Sequence, residues 1–307
     1  MVNKIEKIAN PIYFELVDLG IINPNTISII NSKTRDKDIP VLIDETSGVI
    51  FLERQETTNE YYESKITEDR DSDKTIISLG EGHSIATASL EDDERRFQQF
   101  KSLTENANIC DFGCGYGGYL QLNKDHAESI SGIELKEHCK AHLIEVEPSI
   151  RVEKNIQDFD ELFDVVTMFH VLEHIPDQTT VLNEICKKIN TSGQLIVEVP
   201  HAQDFLIQSI DLQEFKDFSF WSEHLVLHTK ESLAKILESV GFVDIHVNGY
   251  QRYSFTNHLG WFLNKSPGGH DCFSDFERSR FQKSYNNYMK QLGATDTLIA
   301  TARPNYV

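Results

Sequence analysis

Four of the chain's 16 glycines fall within six consecutive positions, Gly113-Cys114-Gly115-Tyr116-Gly117-Gly118. They follow a run with the pattern of a buried strand, Ile109-Cys110-Asp111-Phe112, and Tyr119-Leu120 continue into a helical pattern. Glycine lets a backbone turn tightly and approach a ligand closely. A helix N-terminus beyond such a turn offers free N–H groups to an anion such as a carboxylate. Asp111, just before the glycines, would repel a pyrophosphate but suits a cationic ligand. Glu134 closes the next apolar run, Ser131-Gly132-Ile133-Glu134, where a carboxylate can accept hydrogen bonds from both hydroxyls of a ribose. The loop alone also fits a dinucleotide fingerprint. Asp111 and a last apparent strand, Thr297 to Ala302, favour a different ligand.

A second set of residues suits proton transfer. The chain has 12 histidines, and histidine is the side chain that titrates near neutrality. His170 and His174 follow one strand pattern, His201 follows another, and His224 and His228 lie just before a helix pattern. His224 is the first candidate for a general base, with Glu223 as its orienter; His201 and His228 are the others. Glu223, His224 and His228 also have spacing that would let them ligate a metal, but the assignment made from the sequence includes none.

These residues need elements to position them. From Asn108 onward, strand patterns alternate with helix patterns. The strands are expected at Ile109 to Phe112, Ser129 to Leu135, Arg151 to Ile156, Phe163 to Phe169, Gln194 to Val199, Val243 to Val247 and Thr297 to Ala302. One helix carries Val181, Leu182, Ile185 and Ile189 on one face. Another carries Leu233, Ile236, Leu237 and Val240, with Thr229 as N-cap and Gly241 as its stop. The alternation predicts an α/β fold, a Rossmann-like, mostly parallel seven-stranded sheet with helices on both faces. Ligands of such sheets bind at the carboxyl ends of the strands. Before this region, Ile39 to Ile43 and Gly48 to Leu52 read as a hairpin, Glu56 to Thr75 as an acidic connector containing Tyr61-Tyr62, and Glu94 to Leu103 as a helix.

Composition narrows the function classes. The chain has 307 residues, with 29 Lys and Arg against 49 Asp and Glu, a net charge of −20. That field repels phosphate backbones, so nucleic acid is not an expected partner. No apolar run is long enough to span a membrane, and the N-terminus lacks the pattern of a signal peptide. The five cysteines include no CxxC pair, which fits reduced thiols and a cytoplasmic location.

The segment Ile109 to Gly117 resembles the first motif of the class I S-adenosylmethionine-dependent methyltransferases. Glu134 matches their second acidic position. Phe163 to Ile175 looks like their fourth strand and following turn, and Gly193 to Pro200 like their fifth strand. The resemblance implies S-adenosyl-L-methionine as cofactor, held by Asp111, Gly113, Cys114, Gly115, Gly117, Tyr119, Glu134, Leu135, Asn155, Ile156, Phe169 and His170. Asn155-Ile156 stands where many members carry an Asp that reaches the adenine. The stretch Trp221 to Thr229, continued to Phe242, resembles the acceptor-lining region of bacterial sugar methyltransferases. Trp221-Ser222 replaces the Tyr-His of the C-methylating branch, and that branch's cysteine module for zinc is absent. O- or N-methylation of a small molecule, a sugar or glycan precursor, is therefore expected.

Alternatives are methylation of a quinone-like or other aromatic metabolite, a nucleotide-cofactor oxidoreductase, and a non-catalytic binding protein of the same fold. Residues 1–100 are expected to form an accessory region, with the hairpin as a small unit and the Tyr61-Tyr62 part as a lid over the cofactor. Residues 101–307 are expected to form the methyltransferase domain, with an acceptor-side insertion near 250–295. A homodimer is a further possible assembly.

Overall fold

The computed structural model describes residues 7–57, 75–80, 83–87, 89–273 and 279–305. The elements run α1 (Pro11–Asp18), β1 (Ile27–Asn31), β2 (Val41–Asp44), β3 (Ile50–Leu52), β4 (Thr75–Gly80), β5 (His83–Thr87) and α2 (Leu90–Thr104). Then follow β6 (Asn108–Phe112), α3 (Gly118–Asn123), β7 (Ser129–Ile133), α4 (Glu137–Val146), β8 (Arg151–Glu153), β9 (Phe163–Phe169), α5 (Gln178–Cys186) and β10 (Ile189–Pro200). The chain continues through α6 (Gln213–Ser219), β11 (Val226–Leu227), α7 (Lys230–Ser239), β12 (Phe242–Tyr250), α8 (Phe255–Asn264), α9 (Gly269–Cys272), α10 (Ser279–Leu292) and β13 (Thr297–Pro304).

The main sheet has seven strands in the order β12-β13-β10-β9-β6-β7-β8. Strands β6 to β10 are mutually parallel, and β13 runs antiparallel to both its neighbours. The strand order reverses at β6 and β9, so the loops after these two strands open a crevice at their carboxyl ends. The glycine loop follows β6, and His170 to His174 follow β9.

Each expected strand is present, Phe163 to Phe169 with the ends expected of it and the others with one or both ends shifted. The third stops at Glu153, and a single 3₁₀ turn at Ile156–Asp158 takes the rest. Ile189, placed by its periodicity on the α5 face, instead pairs with Phe163 as the first residue of β10. The helix ends at Cys186 because Lys188 N–H bonds back to the Ile185 carbonyl at 2.9 Å while its own carbonyl accepts from Phe163 N–H at 2.8 Å. Helix α7 begins with Thr229 and Ser232 capping each other's backbone N–H groups, and Gly241 at φ 94 ends it.

The Ile39 to Leu52 hairpin forms as β2 and β3, but it is not confined to the N-terminal region. It lies inside a four-stranded antiparallel sheet, β1-β2-β3-β11, whose last strand begins at Val226, just past His224 and Leu225. Asn10 Nδ2 ties this seam, donating to the Leu52 and Leu225 carbonyls, both at 2.9 Å. Ile12, Leu42 and Phe51 share one buried cluster with Phe163, Leu195 and Leu233. Tyr61-Tyr62 and most of the acidic connector, the location of the expected lid, lie outside the described residues. Among the described residues no helix is long and apolar enough to cross a membrane, and none of the five cysteines is joined in a disulfide.

Candidate active site

The glycine loop is shaped by backbone that L side chains resist. Gly113, Gly115 and Gly117 have φ of 80, 54 and 74°. A Cβ on Gly113 would sit 2.4 Å from Val171 Cγ2, so the loops after β6 and β9 touch only because this residue has no side chain. Gly113→Ala is expected to cost about 1–3 kcal/mol from the backbone conformation alone, read as a lowered urea midpoint, and to weaken cofactor binding by displacing the β9 turn. Gly117 N-caps α3 and lies buried against Leu143.

Two carboxylates anchor the loop. Glu134 accepts from Gly115 N–H through Oε2 and from Lys136 N–H through Oε1, both at 2.8 Å. Asp111 is buried and accepts from Thr167 Oγ1 at 2.6 Å. Burial pushes its carboxyl up to about 7, against that hydrogen bond and the nearby Arg96 charge.

Three cavities meet here. The first, of about 410 Å³, is lined by Asp111, Gly113, Cys114, Gly115, Tyr119, Phe169 and His170. The second, of about 400 Å³, is lined by Gly113, Glu134, Leu135, Asn155, His170 and Val171. They share Gly113, Lys136 and His170, and so form two ends of one groove along the glycine loop. Of the residues assigned to the cofactor from the sequence, Gly117 and Ile156 line neither end. Ile156 is buried in the core instead. The third cavity, of about 350 Å³, joins the first at His170 and Arg252. Its wall includes His201, His224, Arg35, Asn257 and the rings of Phe215, Phe218, Trp221, Tyr253 and Trp261.

The four proton-transfer candidates separate. His201 is buried and lines the third cavity. Its Nδ1 lies 2.8 Å from the Thr295 carbonyl, so Nδ1 carries the proton and Nε2 the lone pair. Burial lowers its pKa to about 4. His224, half-buried, lines the same cavity, and burial together with His174 lowers it to about 3. Glu223 faces the groove rather than the third cavity. His228 is fully buried between Ser232 Oγ at 3.0 Å and Gln178 Oε1 at 2.9 Å and lines none of the three cavities. Hence Glu223, His224 and His228 do not converge as a metal-ligand set. Glu173, His174 and His224 do, each offering a ligand atom, all within 4.8 Å of one another.

Behind the groove lies an ion network that the sequence patterns did not reveal. Glu198, fully buried on β10, accepts from Arg95 Nη2 at 2.8 and 2.9 Å and from Arg96 at 2.7 and 3.2 Å. His170, at φ 55, has Nε2 3.3 Å from Glu198 and Nδ1 3.2 Å from Glu173. Burial would lower the His170 pKa, but its hydrogen bonds to Glu173 and Glu198 outweigh that and raise it. Arg252 pairs with Asp92 of α2 and stands 3.1 Å from His170 Nε2. Periodicity cannot join residues some 100 positions apart; the one local signal was a lone carboxylate inside the apolar run Leu195-Ile196-Val197-Glu198-Val199. Arg35 was likewise missed. It stacks on Trp221 at 4.6 Å, while Asp36 accepts from Ser222 N–H at 3.0 Å, so an N-terminal loop braces the third cavity.

Residues 85–247, more than half of the chain, match the family model described as a methyltransferase domain. The chain belongs to the class I S-adenosylmethionine-dependent methyltransferases. A ubiquinone biosynthesis O-methyltransferase of Hydrogenovibrio crunogenus is 29% identical over 105 residues, 31% of this methyltransferase and 43% of the relative. A probable S-adenosylmethionine-dependent methyltransferase of Mycobacterium tuberculosis is 26% identical over 157 residues, 50% of this chain and 55% of the relative. The chain thus spans about half the length of the curated relatives it matches. Among solved structures, a SAM-dependent methyltransferase from Archaeoglobus fulgidus overlays with a TM-score of 0.49 at 19% identity, covering 70% of this chain and 94% of that one. The cofactor of this family, S-adenosyl-L-methionine, fits the groove of this methyltransferase: a buried carboxylate lies beside left-handed glycines, and a second sits at the end of the neighbouring strand.

Proposed function

We propose that this methyltransferase methylates a hydroxyl of a small, polyhydroxylated acceptor, a sugar or glycan precursor, bound in the third cavity. The observation that carries the reading is that cavity's wall, which combines flat aromatic rings with His201, His224, Arg35, Asn257 and Asp296. Rings supply apolar faces for the C–H surface of a sugar. The polar groups supply donors and acceptors for its hydroxyls. When bound, S-adenosylmethionine supplies an electrophilic methyl on a sulfonium. Asp111 and the glycine loop hold its methionine end, and Glu134, Leu135 and Asn155 its nucleoside end. His170 and Arg252, which border both the groove and the third cavity, mark where acceptor and methyl meet.

The proton leaving the acceptor hydroxyl is assigned to His201 rather than His224, because the Thr295 contact leaves the His201 lone pair on Nε2. A hydroxylated aromatic acceptor is the second reading, favoured by the likeness to a ubiquinone biosynthesis O-methyltransferase. Release of S-adenosylhomocysteine is to be measured against a panel of sugar nucleotides, free sugars and catechols. Turnover confined to the catechols would overturn the sugar reading. Turnover with no acceptor, despite cofactor binding, would leave a non-catalytic binding protein. In the active pairing, His201→Ala is expected to lower kcat by roughly 10²–10⁴-fold with cofactor affinity unchanged, and undiminished kcat would remove His201 from proton transfer.

A further inference from the structure

We propose that Arg35 binds an anionic group of the acceptor, a phosphate or a carboxylate remote from the methylated hydroxyl, at the mouth of the third cavity. The inference rests on the function proposed above in taking that cavity as the place of the acceptor.

The loop that carries Arg35 is fixed before any ligand arrives. Thr34 N–H donates to the Lys37 carbonyl and Lys37 N–H to Thr34 Oγ1, both at 3.1 Å, which closes a turn around Arg35. Arg35 N–H donates to the Phe220 carbonyl at 2.8 Å. Asp36 is engaged by Ser222, whose N–H and Oγ donate to it at 3.0 and 2.6 Å. The Arg35 guanidinium then lies over two rings of the cavity wall, 5.0 Å from the centre of Phe218 and 4.6 Å from that of Trp221. A guanidinium stacked on aromatic faces keeps its N–H fork in its own plane, where an anion can meet it edge-on.

The charge of Arg35 is uncommitted. Arg96 and Arg252, which line the first cavity, pair with Asp93 and Asp92. Among the described residues no carboxylate pairs with Arg35. The two acidic residues of the third cavity's wall are turned to other partners. Asp204 accepts from Leu206 and Ile207 N–H at 2.7 and 3.1 Å, and burial together with Asp296 pushes its carboxyl up to about 7. Asp296 accepts from Tyr253 N–H at 3.0 Å and from Gln251 Nε2 at 2.6 Å, and burial raises it as well. The chain as a whole carries a charge of −20, so an anion is held here by close contact and not by the long-range field.

Position decides which part of the acceptor carries the anion. Arg35 and Phe218 are exposed and line neither end of the groove, whereas the third cavity joins the groove at His170 and Arg252. The anion is therefore on a part of the acceptor that does not react, and its binding orients the hydroxyl that does. A neutral sugar offers the fork hydroxyl oxygens alone. A phosphorylated or carboxylated sugar offers it two parallel charge-assisted hydrogen bonds.

The chain's two tryptophans, Trp221 and Trp261, both line this cavity, so intrinsic fluorescence reports its occupancy. Inorganic pyrophosphate and glucuronate are to be titrated into full chain saturated with S-adenosylhomocysteine. A saturable change with one or both anions is expected; pyrophosphate alone names a phosphate ester, and glucuronate alone names a carboxylate. Arg35→Gln should weaken the anion roughly tenfold or more, and Arg35→Lys less, since it keeps the charge and loses the fork. Unchanged S-adenosylhomocysteine affinity reports intact folding. Should Arg35→Gln lose that affinity too, Arg35→Lys carries the test, and anion affinity equal to wild type in it would overturn the site. No saturable response to either anion, or a response undiminished in Arg35→Gln, would also overturn it. Turnover of neutral sugars with the same KM in wild type and Arg35→Gln would overturn the anion site and keep the sugar reading. Anion binding lost in Arg35→Gln, with turnover confined to catechols, keeps the anion site and overturns the sugar reading.

Discussion

Glu198→Ala is expected to destabilise the protein by about 3–5 kcal/mol, the cost of removing one partner from a buried ion pair. Glu198 has no exposed surface and collects charge-assisted hydrogen bonds from Arg95 and Arg96 of α2. Removing the carboxylate leaves both guanidinium groups with one fewer partner, although each keeps an aspartate of its own helix, Asp92 at 3.2 Å and Asp93 at 3.4 Å. The same carboxylate holds His170 at the junction of the groove and the third cavity. Loss of S-adenosylhomocysteine affinity should therefore accompany the loss of stability. Urea denaturation of wild type, Glu198→Ala and Glu198→Gln checks the energetics. Glu198→Gln should fall between the other two, because its amide oxygen still accepts while its charge is gone. A midpoint for Glu198→Ala equal to wild type would show that the aspartates of α2 suffice.

This network also shows where sequence reading stops. The glycine loop, Asp111 and Glu134 were legible because their chemistry is local: a strand, a turn and a helix start within about a dozen residues, then the end of the next strand. The sheet was legible because each strand carries its own apolar pattern. The strand end at Glu153 and the transfer of Ile189 to β10 were not, because tertiary hydrogen bonds set those boundaries. The third cavity was half legible. His201 was found from its place after a strand pattern and His224 from its place before a helix pattern, but Arg35 reaches Trp221 only through the fold. His228 had the same local signal as His224, yet α7 and Gln178 enclose it. Position after a strand is a signal of proximity to the site; which way the ring faces depends on partners far away in sequence.

Cofactor affinity is expected to rise with pH through neutrality and then level off. Asp111 is the group responsible. In the free protein burial holds its carboxyl at about 7, far above the ordinary 3.8. The carboxylate, not the acid, suits the cationic amino group of the cofactor's methionine end. Below pH 7 binding must first remove a proton, so affinity should fall about tenfold per pH unit. Calorimetry in buffers of different ionisation enthalpy should detect that proton's release near pH 6. Asp111→Asn should bind weakly with a flat pH profile. The same shift has the opposite consequence for the unliganded fold. Between pH 3.8 and about 7 the folded state holds more protons at Asp111 than the unfolded state does. Its contribution to stability therefore declines as pH rises through that window and stays low above it. Asn avoids the buried charge while its side-chain oxygen still accepts from Thr167. Asp111→Asn should thus be more stable than wild type at pH 8, with the gap narrowing towards pH 4. Wild-type affinity independent of pH between 5.5 and 8 would show that Asp111 does not face the cationic end of the cofactor. A stability gap that failed to narrow would show that its burial is not what raises it.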